Sequence, residues 1–200
     1  MRTLSINTFA TLDGVMQAPG GPEEDTSDGF MHGGWSFHYW DDVMGQIMDD
    51  YLGKRFDLLL GRKTYEIFAG YWPQHNDQPT GEALNDATKY VASRTLERVE
   101  WQNSQLLKGD VIDEIKKLKQ QAGPEIQVHG SANLIQTLLP GDVVDEMRVW
   151  TFPVVLGTGK RLFAEGTVPR ALRLVDSRTS SSGVIISTYQ PAGEVTYDSF

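Results

Sequence analysis

Hydrophobic positions along the chain follow two spacings that take turns. Leu4, Ile6 and Phe9 alternate with polar residues and predict a first strand over residues 3–9, closed by the turn signal Ala10-Thr11-Leu12-Asp13-Gly14. Val43, Met44, Ile47, Met48, Tyr51 and Leu52 form one stripe at helical spacing and predict a helix over residues 41–53. Residues 56–60 are almost wholly apolar, the mark of a strand covered on both faces. Gly61-Arg62-Lys63-Thr64 then leads into a short helix carrying Tyr65, Ile67 and Phe68, which ends at Tyr71-Trp72-Pro73. A helical turn over 81–87, a short strand over 89–92 ending in Ser93-Arg94-Thr95, and an extended piece over 99–107 follow. Val111, Ile112, Ile115 and Leu118 share one face of a helix over 110–121. Acids lead it, Lys116, Lys117 and Lys119 close it, and Gly123-Pro124 ends it.

The stretch 125–141 repeats the strand–turn–helix design. Ile126 and Val128 alternate, His129-Gly130-Ser131 turns, and Leu134, Ile135, Leu138 and Leu139 take helical spacing until Pro140-Gly141. Beyond it come a strand within 143–152, an apolar run from Pro153 into Gly157-Thr158-Gly159-Lys160, and two strands over 171–177 and 184–189 around the Ser-rich turn 179–183. Four strand–helix alternations followed by three strands predict an α/β fold of one domain over 1–200. Its central sheet is mainly parallel, with an antiparallel C-terminal edge hairpin.

Composition narrows the function. Zero cysteines exclude disulfides, thiolate catalysis and Cys-ligated metals. A net charge of −9 without a like-charge block argues against nucleic acid as the main partner. The absence of an apolar run near membrane-spanning length and of an N-terminal targeting pattern leads to the expectation of a cytoplasmic protein with no membrane partner. An anionic ligand then needs a local basic cluster, and Arg62-Lys63, joined by Arg94, provides one.

Each candidate has a plain alternative. Residues 18–34, rich in Gly, Pro, Asp and Glu, form a long surface loop, either functional or partly mobile. Trp35, Phe37, Tyr39 and Trp40 either plug a hydrophobic edge or wall a pocket for a flat ring. Asp41 and Asp42 suit the first helical turn as caps. If an acid of that helix enters a cleft, it is Asp41, which lies at the edge of the apolar stripe. His129 at a strand end is either a packed histidine or a proton donor. The Gly-Thr-Gly-Lys at 157–160 lacks the glycine and the hydroxyl residue of a phosphate loop, since Val154 and Arg161 stand in their places. His32, His38 and Asp41 match no ligand spacing, so no metal is expected. What remains is a set of strand ends carrying small, hydroxyl and basic residues. Ligands of open parallel sheets sit at such ends, and separated basic turns suit a dinucleotide with a 2′-phosphate.

Thr11-Leu12-Asp13-Gly14, the run Leu58 to Glu66, Val91-Ala92-Ser93-Arg94-Thr95, the run Val128 to Leu139 and the run Pro153 to Phe163 together resemble the dihydrofolate reductase superfamily. The likeness is nearest to its branch of dihydrofolate reductase-like proteins and riboflavin-biosynthesis reductase domains, and it spans nearly the whole chain. The resemblance implies a three-layer fold, an NADPH cofactor and a homodimer. It places the 2′-phosphate at Gly61, Arg62, Lys63 and Thr64 with Ser93 and Arg94, and the pyrophosphate at Gly130, Ser131, Ala132, Asn133 and Leu134. Gly14 and Val15 would border the nicotinamide, Asp13 or Asp41 would relay the proton, and Trp35, Phe37 and Trp40 would wall the substrate pocket. The chain has Gly-Ser at 130–131 where dihydrofolate reductases have Gly-Gly, and its first helix lacks a well-placed acid. The implied activity is therefore hydride transfer to a small heterocycle, pterin- or aminopyrimidine-like, or to a carbonyl compound. The alternatives are a non-catalytic nucleotide-binding or structural dimer and, more remotely, a metal-dependent hydrolase around His32, His38 and Asp41.

Overall fold

A computed structural model describes residues 1–199. The first strand, β1 (Leu4–Thr11), is followed by α1 (Asp42–Leu52), β2 (Phe56–Gly61), α2 (Arg62–Tyr71), α3 (Pro79–Asp86), β3 (Lys89–Ala92), β4 (Ser104–Leu106) and α4 (Val111–Gln120). Then come β5 (Glu125–His129), α5 (Ala132–Leu138), β6 (Glu146–Phe152), β7 (Leu172–Thr179) and β8 (Ile185–Pro191). They build one eight-stranded sheet in the order β4-β3-β2-β5-β1-β6-β8-β7. All pairs from β4 to β6 are parallel, whereas β6–β8 and β8–β7 are antiparallel. The mainly parallel sheet with its antiparallel edge is as read from the spacing of apolar positions, and the three-layer arrangement is as the resemblance implied.

Burial on two faces explains the run in β2. Leu59 joins Leu4, Ile6, Ile126 and Val128 against Ile115, Leu118 of α4 and Leu134, Ile135, Leu138 of α5. Leu58 and Leu60 point the other way, onto Leu52, Tyr65 and Leu84. Each such leucine contributes about 2 kcal/mol of transfer free energy. On that second face Trp150, Phe152 and Ile186 meet Met44 and Ile47 of α1 in a separate cluster. Between the two clusters the sheet presents side chains of a different kind, Ser5 and Asn7 of β1, Gln127 and His129 of β5, and Arg148 of β6.

Tertiary contacts moved several boundaries. The strand within 143–152 begins only at Glu146, because Asp145 accepts the Leu4 N–H at 2.7 Å and an ion pair from Lys119 at 2.5 Å. Of the extended piece 99–107 only Ser104–Leu106 pairs, since buried Trp101 is drawn to Asn85 Oδ1 by its indole N–H (2.7 Å). The helical turn at 81–87 becomes α3, packed so closely that a Cβ on Gly81 would lie 1.9 Å from the His75 carbonyl oxygen. The long loop 18–34 is pinned rather than loose. Gln17 Nε2 donates to the carbonyls of Asp25 and Ser27 at 3.1 Å each, and Phe30 is buried in the core. No helix among the described residues is long and apolar enough to cross a membrane.

Candidate functional site

The carboxyl ends of β2, β3 and β5, together with Asn7 and His129 of the polar strip, open into one cleft of about 1200 Å3. Its rim is made of turns. Gly61 ends β2 and leaves the first N–H groups of α2 without a side-chain cap, so they and the positive helix end face the cleft. Ser131 lies next to this turn. Its Oγ accepts the Gly61 N–H at 3.0 Å and donates to Thr64 Oγ1 at 2.9 Å. Gly130 and Ser131 are both left-handed, with φ of 57° and 64°. A serine there costs about 1 kcal/mol of backbone strain, and its hydroxyl returns two hydrogen bonds that a second glycine lacks. The departure from Gly-Gly thus ties the two turns together.

Gly61, Arg62, Lys63, Thr64, Ser93, Arg94, Gly130, Ser131, Ala132, Asn133 and Leu134 all line this cleft. Arg62 pairs with Glu66 at 3.1 Å, and Ser93 Oγ accepts the N–H groups of Thr95 and Leu96, which fixes the turn that carries Arg94. Lys63 and Arg94 are exposed and form no ion pair among the described residues, although the chain carries a net charge of −9. Gly14 and Val15 lie outside the cleft. Val15 is fully buried and bridges to Arg161.

Neither predicted acid is in the cleft. The Asp13 carboxylate accepts from Thr11 Oγ1 (2.5 Å) and from the N–H groups of Leu156 (3.2 Å) and Gly157 (2.8 Å), with Arg161 at 3.6 Å. The Thr11 hydroxyl, more than those N–H groups, holds its pKa below the usual carboxylate range. Asp41 caps α1 through the Met44 N–H (2.9 Å) and takes Ser181 Oγ (2.7 Å) and the Ser182 N–H (3.1 Å) from the β7–β8 turn. Those bonds, that of Met44 first, push its pKa far down. In ionised form both staple together segments distant in sequence.

The predicted aromatic wall also stands elsewhere. Trp35 is buried, donates its indole N–H to the Gln17 carbonyl (2.8 Å) and meets Phe152 edge-on. Phe37 is 74% exposed and away from the cleft. Trp40 stacks on Trp150 at 6.1 Å with planes 4° apart, and Trp150 is the ring that faces the cleft, joined by Phe9 and Tyr51. The patch therefore backs the wall instead of forming it. The Gly-Thr-Gly-Lys turn packs against the same region. A Cβ on Gly159 would stand 2.7 Å from Val15 Cγ1, and Lys160 binds Asp25 at 2.7 Å.

The floor, a polar layer lying beneath the lining residues Asn7 and His129, went unread in the sequence. Arg148 donates to Glu125 (2.8 Å), to Glu146 (2.9 Å) and to Asn7 Oδ1 (3.3 Å), and lies 4.8 Å from the Tyr51 ring. Gln127 Nε2 donates to Glu125 Oε2 at 3.0 Å, and His129 meets Gln127 Oε1 at 2.8 Å. Burial, then the charge of Arg148, lowers the His129 pKa to about 4. The signal was there in polar residues at every second position of strands whose other neighbours are apolar. Glu24 also lines the cleft, and desolvation raises its pKa even though its carboxylate accepts the Gly20 N–H at 2.6 Å. Among the described residues, no group of three or more His, Asp or Glu side chains is arranged to hold a metal.

A model of the RibD C-terminal domain matches residues 2–186. The chain is similar to YyaP of Bacillus subtilis (strain 168), an uncharacterised protein. The two are 35% identical over 171 residues, which is 82% of this chain and 89% of the relative. In fold it is similar to a Shewanella sp. PV-4 protein assigned provisionally to riboflavin biosynthesis, with a TM-score of 0.66 and 20% identity over 96% of this chain and 99% of that one. It is likewise similar to the dihydrofolate reductase of Enterococcus faecalis, solved in complex with NADP(H) and RAB-propyl. There the TM-score is 0.56 at 15% identity, covering 95% and 96% of the two chains.

Proposed function

The chain belongs to the family of the RibD C-terminal domain, and from that premise we propose that it is an NADPH-dependent reductase of a small heterocyclic or carbonyl substrate, acting as one domain. The observation that carries this reading is the pair of cations, Lys63 and Arg94, unpartnered among the described residues, at the cleft rim beside the N-terminus of α2, which has no side-chain cap. That donor set suits a dianionic phosphate. Thr64 and Arg62 complete the 2′-phosphate site, and the turn Gly130 to Leu134 takes the pyrophosphate. When bound, reduced nicotinamide supplies a hydride to an electron-poor C=N or C=O. The chain's own part is to orient the two partners, exclude water with Phe9, Tyr51 and Trp150, and furnish a proton. With Asp13 and Asp41 outside the cleft, we assign that proton to Glu24, a cleft carboxyl whose burial favours the protonated form.

The test is a tryptophan-fluorescence titration with NADPH and NADH side by side, followed by an NADPH-oxidation screen against dihydropterins, aminopyrimidines and aldehydes. Binding of NADPH but not NADH, with turnover of one class, supports the reading. Binding without turnover of any class moves the protein to a non-catalytic nucleotide-binding module, the reading favoured by the staple roles of Asp13 and Asp41. A second copy of the chain is the proposed partner. All eight residues of the edge strand β7 are exposed, with Leu174 at 52% and Val175 at 46%, and such an edge invites covering.

A further inference from the structure

The floor of the cleft fixes the proton positions of its own side chains. The Glu125 carboxylate accepts from Arg148 through Oε1 and from Gln127 Nε2 through Oε2. A carboxylate only accepts, so the NH2 end of the Gln127 amide points to Glu125 and its carbonyl end, Oε1, points to His129. That oxygen needs a donor, and His129 Nε2 lies 2.8 Å away. The His129 proton is therefore on Nε2, and Nδ1 carries a bare lone pair. No described residue hydrogen-bonds to Nδ1. It is also not one of the two buried, unpartnered side-chain polar atoms, Ser104 Oγ and Arg170 Nε. Since His129 lines the cleft, Nδ1 is open to whatever occupies it. The depressed pKa, about 4, keeps the ring neutral at physiological pH.

The wall formed by residues 16–25 differs in charge from the rim. Lys160 is the cation facing the wall formed by residues 16–25, and it is held by Asp25 and by Ser27 Oγ at 2.7 Å each. Glu23, Glu24 and Asp25 line the same wall. Among the described residues that wall offers a phosphate group no free cation, while Phe9, Tyr51 and Trp150 of the same cleft present faces to a flat ring.

We propose that His129 Nδ1 is a specificity-determining acceptor for an N–H of a planar, uncharged N-heterocycle that carries no phosphate, with Gln127 and Glu125 as positioning residues. This rests on the reductase reading and narrows it. Rings of the pyrimidinedione and pteridinone type fit, and simple aldehydes and ketones do not. The donor is on the substrate rather than on the cofactor's carboxamide.

The experiment uses the full chain saturated with NADP+ and two probes, pteridine-2,4-dione and its 1,3-dimethyl derivative, which differ only in their N–H groups. Calorimetry is expected to show the dione bound about tenfold or more tighter, the usual effect of leaving an acceptor unmet. The preference disappears in His129→Leu and survives in His129→Asn, which retains an acceptor. Long-range 15N–1H spectra of wild type show Nε2 protonated and Nδ1 bare, with the Nδ1 resonance moving on addition of the dione. In Gln127→Leu, a milder variant, the two tautomers mix and the preference shrinks. Equal affinity for both probes, binding of neither, a preference unchanged in His129→Leu, or a protonated Nδ1 overturns the proposal. An Nδ1 resonance that moves with NADP+ alone, and not further with the dione, also overturns it. Uridine and uridine 5′-monophosphate are expected to bind alike, and tighter binding of the phosphate form refutes the exclusion of phosphate. Failure of NADP+ to bind sinks the reductase reading separately, while the spectra recorded with the dione alone still decide the role of His129.

Discussion

At the rim of the cleft, Lys63 and Arg94 stand exposed without acid partners among the described residues, whereas in the layer beneath its floor Arg148 is shared among Glu125, Glu146 and Asn7. The rim is made of main-chain turns and free charges, and the floor is a closed side-chain network. A free cation at a surface costs the fold little and is available to a ligand, so the rim can be cut away without loss of structure. A buried cation whose partners are satisfied holds the strands in place, so the floor cannot. Ligand affinity and stability should therefore separate cleanly between the two.

Arg148→Met makes the largest break in that comparison. It leaves Glu125 and Glu146 half-buried beside an apolar side chain, and urea unfolding should show a loss of about 3–5 kcal/mol. A loss under about 1 kcal/mol would mean the network is solvated. The floor should next reveal itself through pH. The His129 pKa is about 4 in the folded protein, below its unfolded value, so its contribution is complete above about pH 6.5 and disappears as pH falls toward 4. Wild type should lose up to about 3 kcal/mol more than His129→Asn over that interval, and parallel profiles would refute the assignment.

The rim should answer in binding alone. Lys63→Ala with Arg94→Ala should weaken NADPH by about 10–100-fold, leave NADH unchanged and shift unfolding by less than about 0.5 kcal/mol. Equal loss for both nucleotides would remove the 2′-phosphate from this rim. The smallest effect sits where rim and floor meet. Ser131→Ala keeps the left-handed strain and loses both hydrogen bonds, for about 1–2 kcal/mol, whereas Ser131→Gly relieves the strain and should cost under about 1 kcal/mol. If the glycine variant is the less stable of the two, the hydroxyl is not what joins the turns.

The contrast also explains what was legible in the sequence. The fold followed from periodicity, because β2, α1 and α4 bury one face or two in a regular way, and α4 is capped by Asp110 where its acids lead. The rim followed from contiguous residues, since a turn is a local structure. The floor joins β1, β5 and β6 across more than a hundred residues, and nothing local in Arg148 distinguishes it from a surface arginine on an edge strand. The placement of Asp13 and Asp41 outside the cleft was hidden for the same reason. An acid at a turn reads alike whether it faces a ligand or, as both do, a distant stretch of backbone. The aromatic patch was correctly adjacent to the cleft but one layer behind it, a depth that hydropathy does not encode.

Gln17 is the point on which the wall of the cleft hangs. Its side chain holds the carbonyls of Asp25 and Ser27 and the N–H of Lys160, and its own carbonyl holds the indole of Trp35. All four bonds are between neutral groups, so raising the ionic strength screens the neighbouring Lys160–Asp25 pair and leaves them untouched. They share one residue, so they should be lost together: residues 16–35 should open as a single unit, and the amide hydrogens protected within it should report one common opening free energy that salt barely alters.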